Sequence, residues 1–185
     1  DMLAWVTIFA LLGASAGYSL PPFPLKCEGN PVGLSEQDLR HLHRRSLFAT
    51  DRPNPLFSWT VAHTERGASQ SAIQVVVAGD HDMTRHVWDS GVVDTANSSI
   101  RYAGPPLDSG KLYFWIVRWW DDKERVAQSR EVGHFMTGIM NPKDWSAAQW
   151  IAAPSTVSSL PRITNSLSIS TKPIPQAVLF ASGLG

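Results

Sequence analysis

The chain has 185 residues, 43% hydrophobic and 17% charged, a balance that excludes a disordered segment and suffices for one core or two small ones. Sixteen Lys and Arg offset sixteen Asp and Glu, so no long-range field gathers a polyanion, which argues against nucleic acid as a partner. A single cysteine, Cys27, excludes an internal disulfide and a thiolate zinc site, while eight Trp, 13 Pro and 13 Gly favour strands and turns.

Residues 3–12 form an uncharged, mostly apolar run, shorter than the roughly 20 residues of a membrane-spanning helix. Ala14-Ser15-Ala16 follows as a small-x-small cleavage site, with Gly17 next. Residues 1–17 therefore read as a secretory signal peptide cut after Ala16 or Gly17, and the protein as secreted, with no stable membrane span. The competing reading is a buried strand or helix of the domain itself. Export would make Asn97-Ser98-Ser99, in a polar turn-like stretch, an N-glycosylation acceptor at Asn97.

Residues 21–31, rich in Pro and Gly, read as an extended lead-in and turn. Ser35 then caps a short helical insertion spanning 35–46, with Glu36 and Asp38 in its first turn and His41, His43, Arg44 and Arg45 at its end. His41 and His43 stand two apart, on different faces of a helix, so they read as a solvated basic face and not as a shared metal site. After the turn at 51–55 the period changes to two. Residues 57–61 alternate apolar and polar, 72–78 are rich in β-branched side chains, and 111–121 form the strongest strand. Turn clusters at 65–67, 78–80, 94–99 and 104–106 separate them, a spacing that indicates an all-β antiparallel sandwich over 21–140.

Within that strand Tyr113, Trp115, Val117 and Trp119 share one face, and Leu107 precedes Tyr113 by six residues. The arrangement resembles the tyrosine corner of fibronectin type III sandwiches, which predicts a buried Tyr113 with its ring in the core. Trp59, on an earlier strand, is the expected partner across the sandwich. Trp120 then points to the opposite face, with Leu112, Phe114 and Ile116. An indole there suits docking of a neighbouring domain, or, as the less favoured reading, contact with a sugar ring.

Composition shifts again at 141–144, and no acidic residue follows Trp145. Residues 150–151, 163–170 and 177–182 read as further strands. The stretch 145–185 is near the size below which a domain rarely folds unaided, so it is expected to be the truncated start of a second β-sandwich domain.

Asp89, Asp94, Asp108, Asp121, Asp122 and Glu124 are the carboxylates available for sugar hydrolysis. All but Asp94, which lies between Val93 and Thr95, neighbour Gly, Ser or another charge, as turn residues do, and residues 121–125 read as a solvated hairpin tip. There is no phosphate loop or His-Glu-x-x-His, and no motif around Cys27 marks it as an activated nucleophile. His63, His81, His86 and His134 fall on different elements, a spacing that neither builds nor excludes a metal site. No catalytic residue, cofactor or metal is assigned to this chain.

Several stretches, in order, resemble the N-terminal region of the α-L-rhamnosidases of glycoside hydrolase family 78. They are Asn30-Pro31-Val32-Gly33-Leu34, Pro55-Leu56-Phe57-Ser58-Trp59, the run from Arg66 to Ala78, and Val87-Trp88-Asp89-Ser90-Gly91. Ser109-Gly110-Lys111-Leu112-Tyr113-Phe114-Trp115, Phe135-Met136-Thr137-Gly138 and the run from Trp145 to Ile151 continue the order. The resemblance implies an immunoglobulin/fibronectin type III-like first domain and the opening of a second sandwich. It places catalysis in a later (α/α)6 barrel whose paired acids hydrolyse terminal α-L-rhamnose with inversion. The 35–46 insertion departs from the family pattern. The expected partners are downstream domains of the same polypeptide and, through the full-length enzyme, rhamnosylated carbohydrate. Two rival readings are a carbohydrate-binding module with its own sugar affinity and a fibronectin-type protein-interaction module.

Overall fold

The computed structural model describes residues 17–39, 47–145 and 148–149. In chain order the strands are β1 (Ser19–Leu20), β2 (Lys26–Cys27), β3 (Asn30–Pro31) and β4 (Gly33–Leu34). The one-turn helix α1 (Glu36–Leu39) precedes β5 (Ala49–Thr50), β6 (Leu56–Ser58), β7 (Ala62–His63) and β8 (Gln70–Ala78). There follow β9 (His86–Asp89), β10 (Val93–Asp94), β11 (Ser99–Arg101), β12 (Leu112–Asp121), β13 (Val126–Gln128) and β14 (Val132–Thr137), then a 3-10 turn at Pro142–Trp145. The signal peptide expected up to Ala16, the end of the expected insertion with His41 and His43, and the strands expected at 150–151, 163–170 and 177–182 lie outside the described residues.

Two sheets face each other. The larger runs β10-β8-β12-β14-β4, with β9, β13 and β5 added at its margins, and the smaller runs β11-β6-β2-β3. A separate pair, β1 with β7, crosses one end. Most pairings are antiparallel, as period-two alternation with short turns requires; β5 alone among the described strands joins in parallel, against β14.

The core follows from the alternation on β12. Tyr113, Trp115, Val117 and Trp119 all point inward, joined by Ile73, Val75 and Val77 of β8, Phe135 of β14, and Leu25, Cys27 and Phe57 from the opposite side. The ring that meets Trp115 across the sandwich is Phe57, 4.7 Å between centroids, and not Trp59. Trp59 lies just past β6, where its backbone N–H donates to Ser98 O, 3.1 Å, and its indole Nε1 donates to Gln70 Oε1, 3.3 Å. It is buried in the same core, but polar anchors fix it to the turn after β10.

Tyr113 behaves as a corner residue. It is 5% exposed, its ring stacks on Phe135 at 5.5 Å, and its hydroxyl accepts the Asp108 N–H at 3.0 Å. Leu107 is buried beside it. Tyr113→Phe deletes that acceptor and strands the Asp108 N–H, so urea unfolding should show a loss of about 1.5 kcal/mol with an unchanged m-value. The expected helix starts after Ser35, whose hydroxyl accepts the Asp38 N–H at 3.3 Å and donates to Asp38 Oδ2 at 2.8 Å, a reciprocal cap on its first turn.

Candidate functional site

Register across the larger sheet places Asp94, Ala72, Trp120 and Val126 in one row on its outer face. Trp120 is half-buried, Ala72 leaves room beside it, and Val126 is exposed. Asp94, Ala72 and Trp120 of this row open onto a cleft of about 550 Å³, bordered also by Ser71, Val92, Asp122 and Glu124. One row further along, Arg118 donates to Gln128 Oε1 at 2.7 Å and to Gln74 Oε1 at 3.2 Å, while Gln74 Nε2 donates to both oxygens of Asp89. Trp120 does share its face with Leu112, Phe114 and Ile116, but Phe114 and Ile116 are already 6% and 9% exposed. The face is therefore no open apolar strip. It is accessible as a cleft at the Trp120 end.

The sequence 121–125 proves to be more than a solvated tip. Asp122, Lys123 and Glu124 are exposed, but the Asp121 side chain is completely buried. The turn geometry explains this: Asp121 Oδ1 accepts the backbone N–H groups of Lys123 and Arg125 at 2.8 and 2.9 Å, folding the carboxylate under its own hairpin. Its Oδ2 accepts Arg125 Nε at 2.7 Å and the Ser19 hydroxyl at 3.1 Å, and lies 3.0 Å from His63 Nε2. Arg125 also donates to Glu65 Oε2 at 2.8 Å, and Lys123 pairs with Glu65 Oε1. Burial pushes the Asp121 carboxyl up, but those hydrogen bonds together outweigh it and hold the group well below the usual carboxylate range. Hydrogen bonds from Lys123 and Arg125 likewise lower Glu65. A general acid for glycoside cleavage needs the opposite shift.

The other candidate carboxylates have local duties. Asp89 accepts Gln74 and the Gly91 N–H, and Asp108 pairs with Lys111 at 3.4 Å. Cys27 is buried, which together with the Glu28 charge pushes its thiol up to about 12, so no thiolate forms at neutral pH. His81 sits 2.9 Å from Asp82, His86 opens β9, and His134 lies buried on β14 with Nδ1 2.7 Å from Val32 O. Among the described residues no group of three or more His, Cys, Asp or Glu is placed to hold a metal ion.

Asn97 is exposed in the loop between β10 and β11, and Ser99 of its triplet opens β11, at the edge of the smaller sheet. Gln70 Nε2 pins this loop by donating to Asn97 O at 2.8 Å and Thr95 O at 3.1 Å. At the other end of β12 the chain leaves the sandwich along a fixed path. Ser109 Oγ accepts the Met140 N–H at 2.7 Å and donates to Asp144 Oδ2, holding the 3-10 turn with the half-exposed Trp145.

Comparison with known proteins fits this geometry. The family described as Rha78A-like, N-terminal immunoglobulin domain matches residues 37–141. An α-L-rhamnosidase of Streptomyces avermitilis is 39% identical over 119 residues, covering 63% of this chain and 12% of that protein. One of Formosa agariphila is 36% identical over 139 residues, covering 71% of this chain and 15% of that protein. The solved α-L-rhamnosidase of Streptomyces avermitilis in complex with L-rhamnose superposes with a TM-score of 0.60 at 31% identity, over 76% of this chain and 12% of that one. The enzyme from Dictyoglumus thermophilum gives 0.56 at 36% identity, over 69% and 13%. The chain thus spans about an eighth of the length of the relatives it matches and belongs to the family of Rha78A-like N-terminal immunoglobulin domains.

Proposed function

We propose that this chain is the accessory N-terminal part of a secreted α-L-rhamnosidase, in which residues 21–140 form the sandwich and 145–185 open a second β-domain. Hydrolysis of terminal α-L-rhamnose belongs to later sequence. The observation that carries this reading is the family match over a domain whose one buried carboxylate among the described residues, Asp121, is committed to holding the fold. Its mechanical work is to present the following domains in a fixed direction, through the Ser109 lock on Met140 and Asp144. In the full-length enzyme, Ser109→Ala should leave kcat on a small aryl rhamnoside intact and lower the unfolding temperature by a few degrees. A change in kcat with no change in stability would contradict a purely mechanical role.

A second reading is favoured by the Trp120 cleft: direct contact with a sugar. An indole offers an apolar plane to the C–H face of a pyranose, and Asp94, Asp122 and Glu124 can accept its hydroxyls. Three exposed carboxylates disfavour an acidic glycan, so a neutral deoxyhexose fits better. Titration with L-rhamnose should then quench tryptophan fluorescence saturably, and Trp120→Ala should abolish the response; an unchanged response in that variant removes Trp120 from the contact. Docking of a downstream domain is the other use of Trp120. The exit at Met140 is tied to Ser109, beyond the Leu112 end of β12, and Trp120 stands eight residues along that strand, about 26 Å at about 3.3 Å each, so a docked partner there would come from beyond residue 145. Export would also place a glycan on Asn97, removable by Asn97→Gln as a single loss of mass in protein secreted from a eukaryotic host.

A further inference from the structure

Residues 17–20 are held as a bound peptide would be. Arg125 Nη1 donates to Gly17 O, and the Tyr18 N–H donates to Thr64 Oγ1 at 2.8 Å. Thr64 N–H returns a bond to Tyr18 O at 3.2 Å, and the Ser19 hydroxyl donates to Asp121 Oδ2 and Arg125 O, both at 3.1 Å. Trp119 Nε1, from the core face of β12, donates to Leu20 O at 2.9 Å. Side chains contribute less: Tyr18 is 60% exposed. Glycine at position 17 permits this close approach, because a Cβ there would stand 2.6 Å from Glu65 Cβ and 3.2 Å from His63 Cε1 and would force the loop to shift. The anchoring residues come from β7 with the loop after it and from the β12–β13 hairpin, so four residues of one end hold two distant segments together.

We propose that Gly17 is the mature N-terminus, released by cleavage between Ala16 and Gly17, and that Glu65, Arg125, Asp121 and Thr64 are its receptor. The inference rests on the export reading and deepens it. In the cleavage a leader peptidase adds water across the Ala16–Gly17 peptide bond, leaving a carboxylate on Ala16 and an amino group, protonated at neutral pH, on Gly17. The small residues Ala14 and Ala16 suit that cut, and so would Ser15 and Gly17 suit one a residue later. The structure discriminates between them. A cut after Gly17 discards the carbonyl that Arg125 grips and turns the Tyr18 N–H into a free ammonium, whereas a cut after Ala16 keeps every anchor. The Gly17 amino group then lies within about 5 Å of the Glu65 carboxylate, since a Cβ built on the same Cα stands 2.8 Å from Glu65 Oε2.

The test uses the full-length protein secreted by its own leader. Terminal sequencing with intact mass should read Gly17-Tyr18-Ser19. A terminus at Tyr18 or later overturns the inference and leaves export standing; a chain still carrying residues 1–16 overturns both. Chymotrypsin then reads the receptor. The exposed Tyr18 ring invites cleavage after it, yet its backbone is paired, so the mature protein should resist, and Arg125→Gln should lose residues 17–18 at least ten times faster. Thr64→Val, an exposed change that spares the fold, should accelerate the same cut severalfold. Equal rates in the wild type and both variants would overturn the receptor assignment.

Discussion

Gly133→Ala will cost this domain about 3 kcal/mol, at the upper end of what overpacking a core costs. Gly133 on β14 stands directly opposite Trp115 on β12. The indole lies across the glycine so closely that a Cβ would be 2.3 Å from its Nε1 and 2.4 Å from its Cε2. Neither group can yield. The Trp115 ring is fully buried and packed on Phe57, and the Gly133 backbone is fixed by pairing with both β12 and β4. The indole must leave its rotamer or the two strands must part, and either disrupts the contact that joins the sheets. Thermal unfolding followed by tryptophan fluorescence should fall by roughly 10–20 °C. A change below 2 °C would show that the Trp115 ring does not occupy this position. Trp115 Nε1 also finds no acceptor among the described residues, which is the cost of seating an indole where a phenyl ring would leave a void.

Asp121→Asn should be equally damaging near neutral pH, and its effect should depend on pH in a defined direction. Replacing the fully buried carboxylate costs about 3 kcal/mol, because it removes the charge from several charge-assisted hydrogen bonds and leaves their donors a poorer acceptor. Here Arg125 would retain Glu65 as its charged partner and Gly17 O as a neutral one, and Lys123 N–H, Arg125 N–H, the Ser19 hydroxyl and His63 would all face an amide. The folded-state carboxyl lies below the value of about 3.9 for a free aspartate. Such a group contributes its full stability above the unfolded value and loses it as pH falls through the folded one. The wild type should therefore lose this contribution only below about pH 4, and the gap between wild type and Asp121→Asn should narrow on acidification from pH 5 to 3. Denaturant midpoints at pH 5, 4 and 3 measure it. A gap that widens over that interval would show that the carboxylate is not stabilised by these partners.

The two positions differ in how far the sequence reveals them. Tyr113, Trp115, Val117 and Trp119 announce their face by strict alternation in a long central strand, and Leu107 six residues earlier marks the corner. Ser35 and Asp38 mark the helix cap, although the helix is only one turn in the described residues. Asp121, in contrast, sits in a run of five charged residues, and charge density reads as exposure. What buries it is a bond to its own turn and a serine 102 positions away, which no local pattern carries. The choice between Phe57 and Trp59 fails for a related reason: both fit an inward position near β6, and the Gln70 side chain that draws Trp59 aside is remote from it. Strands of two to four residues, such as β9, β10 and β11, take their place from pairing with longer neighbours and carry too few residues to show a period. The Trp120 cleft is visible only in part, because the opposite faces of Trp119 and Trp120 follow from geometry whereas Asp94 joins them through the register of β8.

Cleavage of an aryl α-L-rhamnoside, measured side by side for this 185-residue chain and for the full-length protein, tests the account at its centre. The full-length protein should turn the substrate over, and the chain alone should release nothing above the uncatalysed rate. Turnover by the isolated chain, abolished by substitution of Asp94, Asp122 or Glu124 around Trp120, would place the chemistry in this sandwich and contradict the assignment.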